Sequence, residues 1–117
     1  MYNSNYSPDA NTSQNLDDKT IFITEVIYDE YGTHIKTVRI EYAINGKTYS
    51  TIRTREQIVN TIRYTDSIVY TLGIDAQGRR QTAEVKLYLL DNEWFLKTTP
   101  NHSLADNLEH LPAVTMR

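Results

Sequence analysis

Asn45-Gly46 constrains this chain more than any other pair of residues. Both residues accept positive φ, which the two central positions of a type I′ turn require, and the twist of that turn matches a β-hairpin. The flanking residues alternate as strands should. Val38, Ile40, Tyr42 and Ile44 interleave with Thr37, Arg39, Glu41 and Ala43, so one face is apolar and the other wetter. A two-residue turn then fixes the register by counting: Ile44 faces Lys47, Tyr42 faces Tyr49, and Ile40 faces Thr51. The tyrosine pair is a cross-strand stabiliser.

The same reasoning extends in both directions. Thr20 to Tyr28 is dense in β-branched and aromatic residues and reads as a strand, with a turn at Asp29 to Gly32. Thr54-Arg55-Glu56-Gln57 has capping-box form, so a short helix is expected to about Tyr64. Its apolar residues Ile58, Val59 and Ile62 form a narrow stripe for covering a sheet. Ser67 to Ile74 and Gln81 to Leu90 read as strands about an Asp75-to-Gly78 type I turn. Asp91-Asn92 makes a tight turn into Glu93 to Thr98, which places Leu89 opposite Trp94, Leu87 opposite Leu96 and Val85 opposite Thr98. The expected fold class is α+β: a twisted antiparallel sheet of β-hairpins with one short helix packed on it (β-β-β-α-β-β-β). A C-terminal clasp follows, its spaced leucines plugging the core edge.

At 117 residues the chain fits one domain, expected over 19–117. Residues 1–18 are rich in Asn, Ser, Asp and Gln, with Leu16 the one aliphatic residue larger than alanine, and this composition predicts a disordered tail. There is no cysteine, so disulfides, thiolate metal sites and cysteine nucleophiles are excluded. No apolar run is long enough to span a membrane. The N-terminal stretch has neither the basic patch nor the apolar run of a secretory signal. A cytoplasmic location is expected. A net charge of −3 disfavours duplex nucleic acid as partner.

The C-terminal third carries a family resemblance. Trp94-Phe95-Leu96-Lys97-Thr98, Pro100, Asp106-Asn107-Leu108 and Leu111-Pro112 resemble a bacterial family of small proteins, the domain of unknown function numbered 3892. Ile23-Thr24-Glu25-Val26 and the following helix are similar as well, so the likeness covers about residues 20 to 114. The chain has Tyr64-Thr65-Asp66 where the family tends to place glycine. The resemblance implies the fold and a bacterial or phage origin. It implies no activity.

Chemistry-bearing motifs are few. His102, Asp106 and His110 have metal-like spacing, but Pro100 and Pro112 bracket them, and loop histidines are the expected reading, with no metal and no cofactor. Ser50, Ser67 and Ser103 lack a nucleophile elbow, and four glycines make no phosphate loop. Asp106-Asn107 suits the capping of backbone amides, with Asn107 presenting its amide to a ligand as the alternative. If Leu87 and Leu89 point inward, then Lys86, Tyr88, Phe95 and Lys97 point outward. Rings and cations together are the chemistry that holds a nucleobase and its phosphate. The candidate ligand-binding residues are thus Lys86, Tyr88, Phe95, Lys97 and Asn107, with no catalytic residues. The expected function is a small non-enzymatic binding or interaction module that sequesters a protein or a nucleotide-like ligand and forms homo-oligomers through an edge strand or the aromatic face. The alternative is a small enzyme acting on a nucleotide or phosphoester, with His102 or His110 as base.

Overall fold

The computed structural model describes residues 19–109, 111 and 113–115. The expectations for the first 18 residues, for His110 and for Pro112 lie outside them. The order is β1 (Thr20–Tyr28), β2 (Ile35–Ile44), β3 (Lys47–Thr54), α1 (Arg55–Tyr64), β4 (Ile68–Ile74), β5 (Arg80–Glu84), β6 (Lys86–Leu90), β7 (Glu93–Lys97) and β8 (Ala113–Thr115). The class is α+β, as expected. The main sheet runs β3-β2-β1-β4-β5, and β6-β7 form a separate two-stranded sheet.

Asn45 and Gly46 hold φ of 52° and 81°, and the hairpin they close has the counted register: Ile44 with Lys47, Tyr42 with Tyr49, Ile40 with Thr51. The Tyr42 and Tyr49 rings stack 5.6 Å apart. The antiparallel hairpins are joined by a parallel pairing. β1 lies beside β4 in parallel over Thr20 to Ile23, and β8 takes the same edge of β1 over Val26 to Tyr28, so the sheet is mixed.

Two bulges let β1 and β2 stay apolar inward despite their irregular patterns. The register slips at Thr24 on β1 and at Lys36 on β2. Each slip resets the alternation by one residue. Ile21 and Ile23 point inward, then Val26 and Tyr28; Ile35 does, then Val38, Ile40 and Tyr42.

Helix α1 begins with the expected capping box. The Thr54 hydroxyl accepts from the Gln57 N–H (3.2 Å), while Gln57 Oε1 accepts from the Thr54 N–H (2.9 Å). Ile58 and Val59 are buried, and Ile62 packs against the same core. A ten-residue helix is marginal alone in water, so this packing is what holds it.

The stretch from Gln81 to Leu90 differs from the single strand expected. It divides at Val85, whose N–H still donates to the Val69 carbonyl (2.8 Å) while its side chain enters the core. β5 therefore stays with the main sheet and β6 turns away from it. The second hairpin keeps the expected register for Leu89 opposite Trp94 and Leu87 opposite Leu96, but its ladder ends at Lys86 and Lys97, so the expected pairing of Val85 with Thr98 does not form. Its turn is closed by Asp91 and Asn92 at φ of 54° and 65°.

Candidate functional site

The expected contact surface on the second hairpin is not open. Phe95 and Lys97 are 1% and 0% exposed, Tyr88 is half-buried, and Lys86 is exposed. The inward reading of Leu89 also fails, since it is 55% exposed. The physical reason is that an isolated two-stranded ribbon does not stand alone in water and must be covered. The β6-β7 hairpin lays Leu87 and Leu96 on the core. Its other face is covered by the loop after β7. Lys97 Nζ donates to the Ser103 carbonyl (2.6 Å), the Asn101 carbonyl (3.1 Å) and Asn101 Oδ1. The Phe95 ring lies 5.6 Å from that of His34.

Asp106 locks this clasp. Its buried carboxylate accepts from the Ile35 N–H (2.7 Å), the Leu96 N–H (2.9 Å), Arg55 Nε (2.8 Å) and Arg55 Nη2 (3.1 Å). Arg55 Nη2 also donates to the Trp94 carbonyl. One side chain thereby ties β2, α1 and β7 to the C-terminal loop, so the capping role expected of Asp106 is present. Asn107 continues the clasp through its backbone, donating to the Leu96 carbonyl (2.9 Å) and accepting from the Thr98 N–H (3.0 Å). Burial pushes the Tyr28 phenol above its ordinary pKa, against a hydrogen bond from the Leu108 N–H.

The two described histidines, His34 and His102, share no contact. His102 is exposed. His34 lies between Glu93 (Nε2 to Oε2, 2.6 Å) and the Thr33 hydroxyl (3.1 Å), with Asp29 3.7 Å away. Among the described residues no group of histidines and carboxylates has the geometry to hold a metal ion.

The open surface is instead the face of the main sheet opposite α1. Strand β4 shows why. Its inward residues, Val69, Thr71 and Gly73, are small, while the large ones, Ile68, Tyr70, Leu72 and Ile74, point away from the helix. Ile68 and Ile74 are 44% and 71% exposed. Phe22 on β1 pairs with Tyr70, and their rings stack at 5.9 Å with an interplanar angle of 25°. On the other side Phe22 pairs with Glu41 of β2. A depression of about 660 Å³ is lined by Phe22, Glu41, Leu72, Thr82, Lys19 and Arg80. A neighbouring one of about 490 Å³ shares Glu41, Leu72 and Arg80 with it and extends to Ile74.

Sequence reasoning missed this face. The signal was present in Ile68-Val69-Tyr70-Thr71-Leu72-Gly73-Ile74, where the larger member of every pair falls on one phase. The floor is apolar, with cations at its ends and a carboxylate in the middle. Such a surface can stack a planar ring and hold a charged group attached to it. Comparison with protein-family models, with curated proteins and with solved structures gave no match. Among the described residues no helix is long and apolar enough to cross a membrane.

Proposed function

We propose that this chain is a non-enzymatic binding module whose ligand is nucleotide-like, a planar ring carrying phosphate, seated on the open face of the main sheet. The observation that carries the reading is the stacked Phe22–Tyr70 pair on the face opposite α1, with Lys19 and Arg80 lining the same depression as Phe22. Ring-plus-cation chemistry was expected from the sequence on the second hairpin, where the clasp covers it. The main sheet offers the same chemistry in the open. A depression of about 660 Å³ falls in the range typical of small-ligand sites, about 300–1,000 Å³.

Neighbouring cations support the phosphate part of the assignment. Arg79 is committed to Asp75 at 3.0 Å and Arg39 to Glu25 at 3.4 Å. Arg80 and Lys19 have no ion pair among the described residues, and both line the depression.

The test is an amide NMR titration of the labelled chain with AMP, GMP, CMP and UMP, and with inorganic phosphate alone. The expected result is a shift of the Phe22, Glu41, Leu72 and Arg80 amides with nucleotide, larger than with phosphate, while Asn107 and Ser103 stay still. Silence at millimolar nucleotide overturns the reading. So do shifts confined to the second hairpin. Movement of the same amides on simple dilution, with no ligand present, also overturns it, because the occupant is then a second copy of this chain.

A further inference from the structure

Within that depression the charged groups are arranged for one kind of ring. Glu41 stands directly opposite Phe22 across the β1–β2 ladder and lines both depressions. Among the described residues its carboxylate forms no ion pair, whereas Glu25 and Glu93 on the same chain are each held within 3.4 Å by Arg39 and His34. Lys19 and Arg80 lie toward opposite ends of the groove. Thr20, next to Lys19, pairs with Ile68 at the start of β4, and Arg80 pairs with Ile74 at its end. Phe22, beside Tyr70, lies between them.

A carboxylate accepts hydrogen bonds and donates none. A ring stacked on Phe22 with its edge toward Glu41 satisfies both carboxylate oxygens only where it presents two adjacent donors. Guanine does so through N1–H and the N2 amine. Adenine sets its N6 amine beside the N1 lone pair, and cytosine sets N4 beside N3, so each turns an acceptor toward one carboxylate oxygen. Uracil has one N–H flanked by two carbonyls. Resting on the nucleotide reading above, we infer that the site is selective for guanine nucleotides and that Glu41 is the residue that reads the base. The phosphate then reaches the cation at either end of the groove.

Calorimetric titration of the full chain with GMP, IMP and AMP tests this. GMP is expected to bind at least about tenfold tighter than AMP, in keeping with what one bidentate base contact contributes to discrimination. IMP, which lacks only the N2 amine, is expected to fall between them. Glu41→Gln keeps the side-chain shape but places an amide donor against N1–H or N2. It should remove most of the GMP preference and leave AMP affinity within about twofold, and Glu56→Gln on the exposed side of α1 should change neither. The IMP comparison uses the unaltered protein and stands even where Glu41→Gln fails to fold. Equal affinity for the three nucleotides, or a preference that survives Glu41→Gln, overturns the guanine inference and leaves the nucleotide reading standing. Failure of all three to bind removes both.

Discussion

The two faces of the main sheet are built from the same strands and have opposite chemistry. On the face beneath α1, side chains are aliphatic and buried: Ile21, Ile23, Val38, Ile40 and Val69 are all at most 1% exposed. Its buried carboxylate, Asp106, is neutralised by Arg55 and accepts from two amides. On the opposite face, Phe22, Tyr70 and Leu72 are half-buried, and Glu41 and Arg80 have no ion pair among the described residues. A face that only had to be wet would carry the small and polar residues of β4, yet Thr71 and Gly73 point inward and Tyr70 and Leu72 outward. The difference teaches that stability is concentrated on one side of the sheet and binding capacity on the other.

The largest effect expected from breaking that contrast is at Asp106. Asp106→Ala leaves the Arg55 guanidinium and the Ile35 and Leu96 amides without their acceptor in a buried setting. A loss of about 3–5 kcal/mol in unfolding free energy is expected, because removing one partner strands the other's charge. Glu41→Ala on the open face should cost less than about 0.5 kcal/mol, as for other surface changes away from special features. Equilibrium denaturation of both variants checks the pair, and similar losses would dissolve the distinction between the faces.

The next effect is in apolar packing. Leu96 is fully buried, and Leu96→Ala should cost about 2–5 kcal/mol. Leu72 is half-buried on the face opposite α1, so Leu72→Ala should cost about 1 kcal/mol. A Leu72 cost as large as that of Leu96 would mean that the open face is covered in solution. The denaturation midpoint of each variant, with an unchanged m-value, is the measurement.

The hairpins and the capping box were legible in the sequence because their determinants are local. Asn45-Gly46, Asp91-Asn92 and Thr54 to Gln57 fix geometry within four residues of themselves. The break at Val85 was not legible, because the stretch around it alternates as one strand would, and its division depends on which neighbour each half finds. The clasp over Phe95 and Lys97 was equally hidden. An aromatic and a lysine on one phase of a strand read as a wet face, and only the long-range placement of Asn101 and Ser103 beside Lys97 Nζ buries them. Asp106 was singled out by its residue type. Its partner Arg55, 51 positions away, carries no sequence signal.

Acid should weaken the turns that Asp29 and Asp75 hold. Burial alone would raise the Asp29 carboxyl, but hydrogen bonds from the Thr33 and His34 N–H groups and the Thr33 hydroxyl, with the nearby His34 ring, bring it below the ordinary aspartate value. Asp75 is lowered chiefly by the Arg79 N–H, and further by Gln81, Gln77 and the Arg79 side chain, against a smaller opposing push from burial. A depressed carboxylate contributes stability above its unfolded pKa, near 4, and loses it as pH falls through the folded value. Stability should therefore decline below about pH 4, and Asp29→Asn and Asp75→Asn should each flatten that decline. Denaturation midpoints between neutral and strongly acid pH would show it, and unchanged slopes in both variants would place the acid sensitivity elsewhere.

The smallest effect separates the two tight turns. Both hold positive φ at both central positions, but the first uses Asn-Gly and the second Asp-Asn, at 54° and 65°. Asn tolerates the left-handed region better than most residues, though glycine meets no Cβ penalty there. Against this, glycine enlarges the unfolded ensemble. The two terms nearly cancel, so Asn92→Gly should raise stability by a few tenths of a kcal/mol, about 0.3. Asn92→Ala should lower it by about 1 kcal/mol, since alanine has neither the freedom of glycine nor the local hydrogen bonding of asparagine. If Asn92→Gly instead destabilises by as much as Asn92→Ala, the Asn92 side chain is itself a structural contact. The β6-β7 turn would then be held by more than its backbone, unlike the Asn45-Gly46 turn at the far edge of the main sheet.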